Sequence, residues 1–175
     1  MPSRNLEGMH PLALYKIPFT GLKTGKHDFQ MDVDQEFFTH FPESEIEDAN
    51  GVVDVVLDYS ETNMVLHLNM NLSWKVPCGR CLEELHFDLQ SDERIAIQYG
   101  EATEIGDDLW ILGKNEIELD LSQTILEMAH LARPSNQVHD NESDCDPKML
   151  AFFKSESDEK SNKTIDPRWD ALKNL

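Results

Sequence analysis

The clearest pattern in the chain is a strict alternation of apolar and polar residues. Met64, Leu66, Leu68, Met70, Leu72 and Trp74 occupy every second position, and Asn63, His67, Asn69, Asn71 and Ser73 stand between them. A two-residue period over this length predicts a long antiparallel strand with one face on a core and one in water. Val53, Val55 and Leu57 predict its partner, and Asp58 to Asn63 supplies turn chemistry between them. Leu85, Phe87 and Leu89 repeat the alternation, as do Ile95, Ile97 and Tyr99, and Ile117, Leu119 and Leu121 predict a short strand. Towards the N-terminus, residues 11–20 read as a proline-edged strand. Gly21 to Gly25 reads as a turn and Phe29, Met31 and Val33 as a second strand, with a short helix around Asp34–Phe41.

After Leu121 the period changes. Ile125, Leu126, Met128, Ala129, Leu131 and Ala132 fit one face of a helix over residues 122–132, with Ser122 as N-cap and Pro134 as stop. Residues 135–148 read as polar loop. The fold class expected is α+β: an antiparallel, β-rich domain, barrel- or sandwich-like, with one main helix and a C-terminal helical segment. The expected domain spans residues 1–150. An acidic flexible linker at 151–163 and an amphipathic segment at 164–175 follow it. In that segment Trp169, Leu172 and Leu175 share one face.

Composition sharpens the picture. Asp and Glu number 34 against 15 Lys and Arg, a net charge of −19 over 175 residues. Broad nucleic-acid binding needs clustered cations, so this balance points to basic partners or simply to solubility. Three cysteines make an odd count, which argues against a disulfide framework. Met1 to Tyr15 lacks the apolar run of a signal peptide, and no stretch reaches the ~20 apolar residues of a membrane span. A reducing cytoplasmic setting, without a membrane, is expected.

The candidate chemistry centres on Cys78-Gly79-Arg80-Cys81-Leu82, placed by the pattern at a turn between two strands. A Cys-x-x-Cys pair offers two of the four ligands of a structural zinc site. Cys145 is a third candidate and His139 a fourth, with His130, Asp144 and Asp146 as other candidates. The plain alternative is a pair of part-buried turn thiols. A redox pair normally opens a helix, whose dipole lowers the first thiol's pKa. Here the pair lies between strands, with Glu83 and Glu84 opposing a thiolate and Arg80 favouring it. No hydrolase motif accompanies the seven histidines, and His67 and His86 fall on the polar side of strands. At the C-terminus, Arg168 and Trp169 belong to types enriched at interface hot spots, or else Trp169 packs back on the domain.

Three segments together resemble the YceD family of large ribosomal RNA subunit accumulation proteins. They are Cys78-Gly79-Arg80-Cys81-Leu82, the run Ile117-Glu118-Leu119-Asp120-Leu121 leading through Glu127 to Pro134, and the terminal Asp166-Pro167-Arg168-Trp169 with the residues after it. The resemblance implies a non-enzymatic role in bacterial or plastid ribosome biogenesis, supporting accumulation of the large-subunit RNA. Many members carry a second cysteine pair after the helix, which suggests metal binding. Here Val138 to Met149 holds only Cys145, with His139 nearby. The expected partner is a large-subunit precursor or a basic ribosomal protein, with Lys75, Arg80, Arg168 and Trp169 as candidate contact residues. Any direct RNA contact is expected to be local, near Lys75 and Arg80. The competing class is a zinc- or thiol-dependent enzyme using the Cys78/Cys81 turn.

Overall fold

The computed structural model describes residues 11–60, 62–100, 109–113 and 115–152. The expected linker beyond Phe152 and the terminal segment with Arg168 and Trp169 lie outside the described residues. The chain divides into two compact units. Of the described residues, one takes those up to Lys75 together with those of His86–Ser135, the other Val76–Leu85 together with those from Asn136 to Phe152.

The first unit is organised by a sheet of five strands in sequence order. They are β2 (Gly25–Val33), β3 (Asp48–Tyr59), β4 (Asn63–Pro77), β5 (Glu84–Tyr99) and β6 (Leu109–Leu112). A short strand β1 (Lys16–Pro18) pairs separately with β7 (Glu118–Asp120). The strand-rich α+β class is thus as the alternation predicts. The sheet is open rather than closed into a barrel, since β2 and β6 stand at its two edges. β6 runs parallel to β5, so the sheet is mixed at that edge.

The β3–β4 register matches buried residue to buried residue. Val53 faces Met70, Val55 faces Leu68, and Leu57 faces Leu66. All six are buried. Each such side chain contributes about 1.5–3 kcal/mol when removed from water. Trp74, the largest inward side chain of β4, faces the small Ala49, and Leu72 faces Gly51. β4 and β5 progress in opposite directions. Asn69 bonds Asp92, and five residues further along β4 Trp74 stacks near Phe87, five residues back along β5. The two alternating patterns at Leu85–Leu89 and Ile95–Tyr99 therefore belong to one 16-residue strand.

Elsewhere the expectations shift by local chemistry. Residues 11–15 form a 3-10 helix, and only Lys16–Pro18 is strand. Pro11 favours a helical first turn. Tyr15 is the buried residue of that turn, and its hydroxyl donates to the Asp32 carbonyl at 2.9 Å. Helix α1 (Gln35–Thr39) is capped by Asp34, whose carboxylate accepts from the Phe37 N–H. Helix α2 (Ser122–Leu131) lies where its apolar face predicts, but Ser122 is its first residue and not its cap. Asp120 takes the capping role, accepting from both the N–H and the hydroxyl of Ser122. Just past the helix, Arg133 pairs with Glu45 at 2.8 Å and lies 5.7 Å over the Trp74 ring. No helix among the described residues is long and apolar enough to cross a membrane.

Gly51 marks the tightest approach in this unit. A Cβ there would stand 2.1 Å from the Asn71 carbonyl oxygen and 2.8 Å from Leu72 Cα, both backbone atoms of the paired strand. Gly51→Ala is therefore expected to cost about 3 kcal/mol, the upper end of overpacking penalties. Gly100→Ala, whose Cβ would meet only the Ile111 side chain at 3.4 Å, is expected to change stability by less than about 1 kcal/mol. Denaturant unfolding of the two variants beside the parent checks the contrast, and equal midpoints would refute it.

Candidate metal centre

The turn between β4 and β5 is shaped by its own backbone. Cys78 N–H donates to Glu83 O at 2.8 Å, and Leu82 N–H donates to Cys78 O at 2.8 Å. These bonds close the loop and turn Cys78 and Cys81 inward, where both are buried. Closure puts Leu82 at φ 65, the left-handed region. A side chain there costs roughly 1–2 kcal/mol, and Leu82 is 68% exposed and gains little by packing.

The second segment of this unit supplies the other side. Gly79 N–H donates to Gln137 O at 2.7 Å, which fixes the strand of chain leading into His139. A 3-10 turn at Glu142–Asp144 then delivers Cys145, whose N–H donates to Glu142 O at 3.2 Å. A helix over 147–152 follows. Asp146 caps it by accepting from Lys148 N–H at 3.0 Å, and Pro147 occupies the first helical position, where a missing N–H costs nothing. Met149 and Leu150 of that helix, with Val138 and Leu85, pack around the three buried thiols.

These two segments bring together Cys78, Cys81, His139 and Cys145, with their ligand atoms all within 4.8 Å of one another. His139 Nδ1 lies 3.5 Å from Cys81 Sγ and 3.6 Å from Cys145 Sγ. A sulfur ~2.3 Å and a nitrogen ~2.1 Å from one tetrahedral centre stand about 3.6 Å apart, so the spacing fits a four-coordinate metal ion. All three cysteines are free thiols. The donor set is three soft sulfurs and one imidazole, which suits zinc and disfavours magnesium or calcium.

The electrostatics of the thiols are unequal. Burial opposes ionisation of Cys78, yet the backbone N–H groups of Arg80, His139 and Cys81 outweigh it and bring its pKa down to about 6. The Arg80 N–H lies 3.4 Å from that sulfur. Cys145 is pushed up, first by burial and then by Cys81 and Cys78, with Arg80 pulling the other way. Its sulfur lies 3.6 Å from Arg80 Nη1. Side-chain charges at the turn, which are what a sequence displays, therefore do not govern Cys78. Hydrogen bonds do, mainly from the backbone N–H groups of Arg80, His139 and Cys81, with the Cys81 side chain adding to them.

The other candidates are placed elsewhere. His130 sits 3.3 Å from Ser44 Oγ, in the sheet-bearing unit. Asp146 is the helix cap described above, and Asp144 accepts from the Asn141 amide at 3.4 Å. Lys75 is exposed on β4 opposite Asp48. Arg80 is half-buried against the thiols. His67 and His86 are exposed strand residues, as the alternation predicts.

A family model described as large ribosomal RNA subunit accumulation protein YceD matches residues 66–175. The chain belongs to the YceD family. The match begins within β4 and takes in all four candidate ligands, and it leaves β1, β2 and β3 outside. No curated protein and no solved structure matches the chain.

For this YceD-family chain, the metal-free folded protein is expected to titrate one thiol near pH 6. An unfolded cysteine titrates near 8.5, so the folded value is the lower one. Its contribution to stability is thus complete above the ordinary thiol range and is lost as pH falls through about 6. Thiolate absorbance in the ultraviolet checks this, and three thiols titrating together in the ordinary range would contradict it.

Proposed function

We propose that this protein is a non-enzymatic ribosome-biogenesis factor that supports accumulation of large-subunit ribosomal RNA by binding a basic ribosomal protein or an assembly intermediate. The family match over residues 66–175 carries this reading. The metal centre supports the non-enzymatic part. Catalytic zinc keeps one position open for water, whereas Cys78, Cys81, His139 and Cys145 together offer four protein ligands, the full set of a structural site. On this reading the ion is structural zinc, and it fastens the segment after α2 to the turn between β4 and β5.

Charge supports the partner class. The outward positions of β2, β3 and β5 carry exposed Asp28, Asp32, Asp48, Asp54, Asp58, Asp88 and Asp92. Only Lys26, Lys75 and Arg94 offset them on β2, β4 and β5. Aspartate is a poor strand former, so this face departs from what β-propensity favours. Gln30 and Asn69 hold two of these carboxylates, Asp54 and Asp92, at 2.7 and 2.6 Å. Such a face attracts lysine- and arginine-rich polypeptide and repels bare RNA.

Two measurements test the proposal. A deletion strain run on sucrose gradients should show a deficit of large subunits, with tagged protein sedimenting in precursor fractions. Normal profiles with the protein remaining free would defeat the functional reading. Protein purified without a tag should contain one zinc per chain, and its capture of a basic partner should weaken steeply as salt rises past the screening range. Tight, salt-resistant binding to bare RNA would instead refute the partner class.

A further inference from the structure

We infer that Arg80 is the charge-compensating and positioning residue of the metal centre, binding the sulfurs of both segments that build it. The inference rests on reading Cys78, Cys81, His139 and Cys145 as a metal centre. Arg80 lies between the two turn cysteines. Its backbone N–H reaches Cys78 Sγ at 3.4 Å, and its guanidinium Nη1 reaches Cys145 Sγ, 65 residues away in sequence, at 3.6 Å. It thus donates to one ligand from each segment without being a ligand.

The charge balance explains why a guanidinium belongs there. Three thiolates, a neutral imidazole and a divalent ion sum to one negative charge in a buried setting. The described residues of this unit add six carboxylates: Glu83, Glu84, Asp140, Glu142, Asp144 and Asp146. The cations among them are Arg80 and Lys148. Of these two, Arg80 is the one whose charge the geometry sets on a ligating sulfur. Arginine suits the task because it stays charged when half-buried and presents several N–H donors from a planar fork.

Residues that hold metal ligands without binding the ion typically change affinity by about 10–100-fold when removed. The full chain with Arg80→Met, which keeps bulk but not charge, and with Arg80→Ala, should lose zinc to a competing chelator with an affinity weaker by that factor. Arg80→Lys should fall between these variants and the parent. Cobalt-loaded variants should keep the absorption bands of a tetrahedral three-sulfur, one-nitrogen site, which separates weaker binding from loss of a ligand. Wild-type affinity in Arg80→Met would overturn the inference and leave the metal reading standing. A parent protein that takes up neither zinc nor cobalt would overturn both.

A variant-free measurement covers the case of poor folding. In wild-type protein loaded with cadmium-113, nuclear spin coupling should pass from the metal through Cys145 Sγ to an Arg80 side-chain proton. The Arg80 backbone N–H, coupled through Cys78 Sγ, serves as the internal control. Seeing the backbone coupling and not the side-chain one would refute the contact.

Discussion

The register of β3 against β4 is the constraint on which the sheet-bearing unit depends. Because side chains alternate faces with period two, a slip of one residue would turn Val53, Val55 and Leu57 to water and Asp54 and Asp58 inward. No stable arrangement of this composition survives that exchange, since an unpaired buried carboxylate costs far more than a solvated one. Gly51 locks the same register sterically, as the approach of Asn71 and Leu72 leaves no room for a side chain at that position. Burial pattern and steric fit therefore select one pairing, and the end of β4 at Pro77 then fixes where Cys78 begins its turn.

Much of this was legible in the chain. The alternation from Met64 to Trp74 located β4, and the change of period after Leu121 located α2, because both elements have one wet face and one dry face. The four residues of the candidate site were legible by type, and Cys78 and Cys81 by spacing. Three features were not. Residues 11–15, Pro-Leu-Ala-Leu-Tyr, are apolar almost throughout and so carry no period to separate a strand from a 3-10 turn, and Pro11 favours the helical first turn. The parallel pairing of β6 with β5 is a long-range choice that no local pattern encodes. The N-cap of α2 falls at Leu121, which has no polar side chain to cap with, and Asp120 instead accepts from the N–H of Ser122, the first helical residue.

The metal site shows a different limit. Six positions separate His139 from Cys145, a spacing that looks loose when read as a linear motif. The 3-10 turn at Glu142–Asp144 takes up that slack and returns Cys145 to His139. Linear spacing is a proxy for distance only when the intervening backbone is known. The same is true of the thiol electrostatics, where the donors that stabilise Cys78 as a thiolate are mainly main-chain N–H groups, which carry no side-chain signature.

Among the described residues, the unit that holds the candidate ligands buries few apolar side chains. Its buried cluster consists of Cys78, Cys81 and Cys145, flanked by Leu85, Val138, Met149 and Leu150, all four only partly buried. Set against the backbone entropy of ordering two loop-rich segments, about 1–2 kcal/mol per residue, burial on this scale leaves an ion room to add stability. Its many carboxylates add repulsion. Small units in this position are ordinarily completed by disulfides or a metal, and the three cysteines are unpaired. Coordination by three thiolates and an imidazole supplies on the order of 10 kcal/mol in structural zinc sites, enough to close such a balance. The sparse apolar burial among the described residues and the spacing of the four side chains are different observations, and both favour an ion at this site.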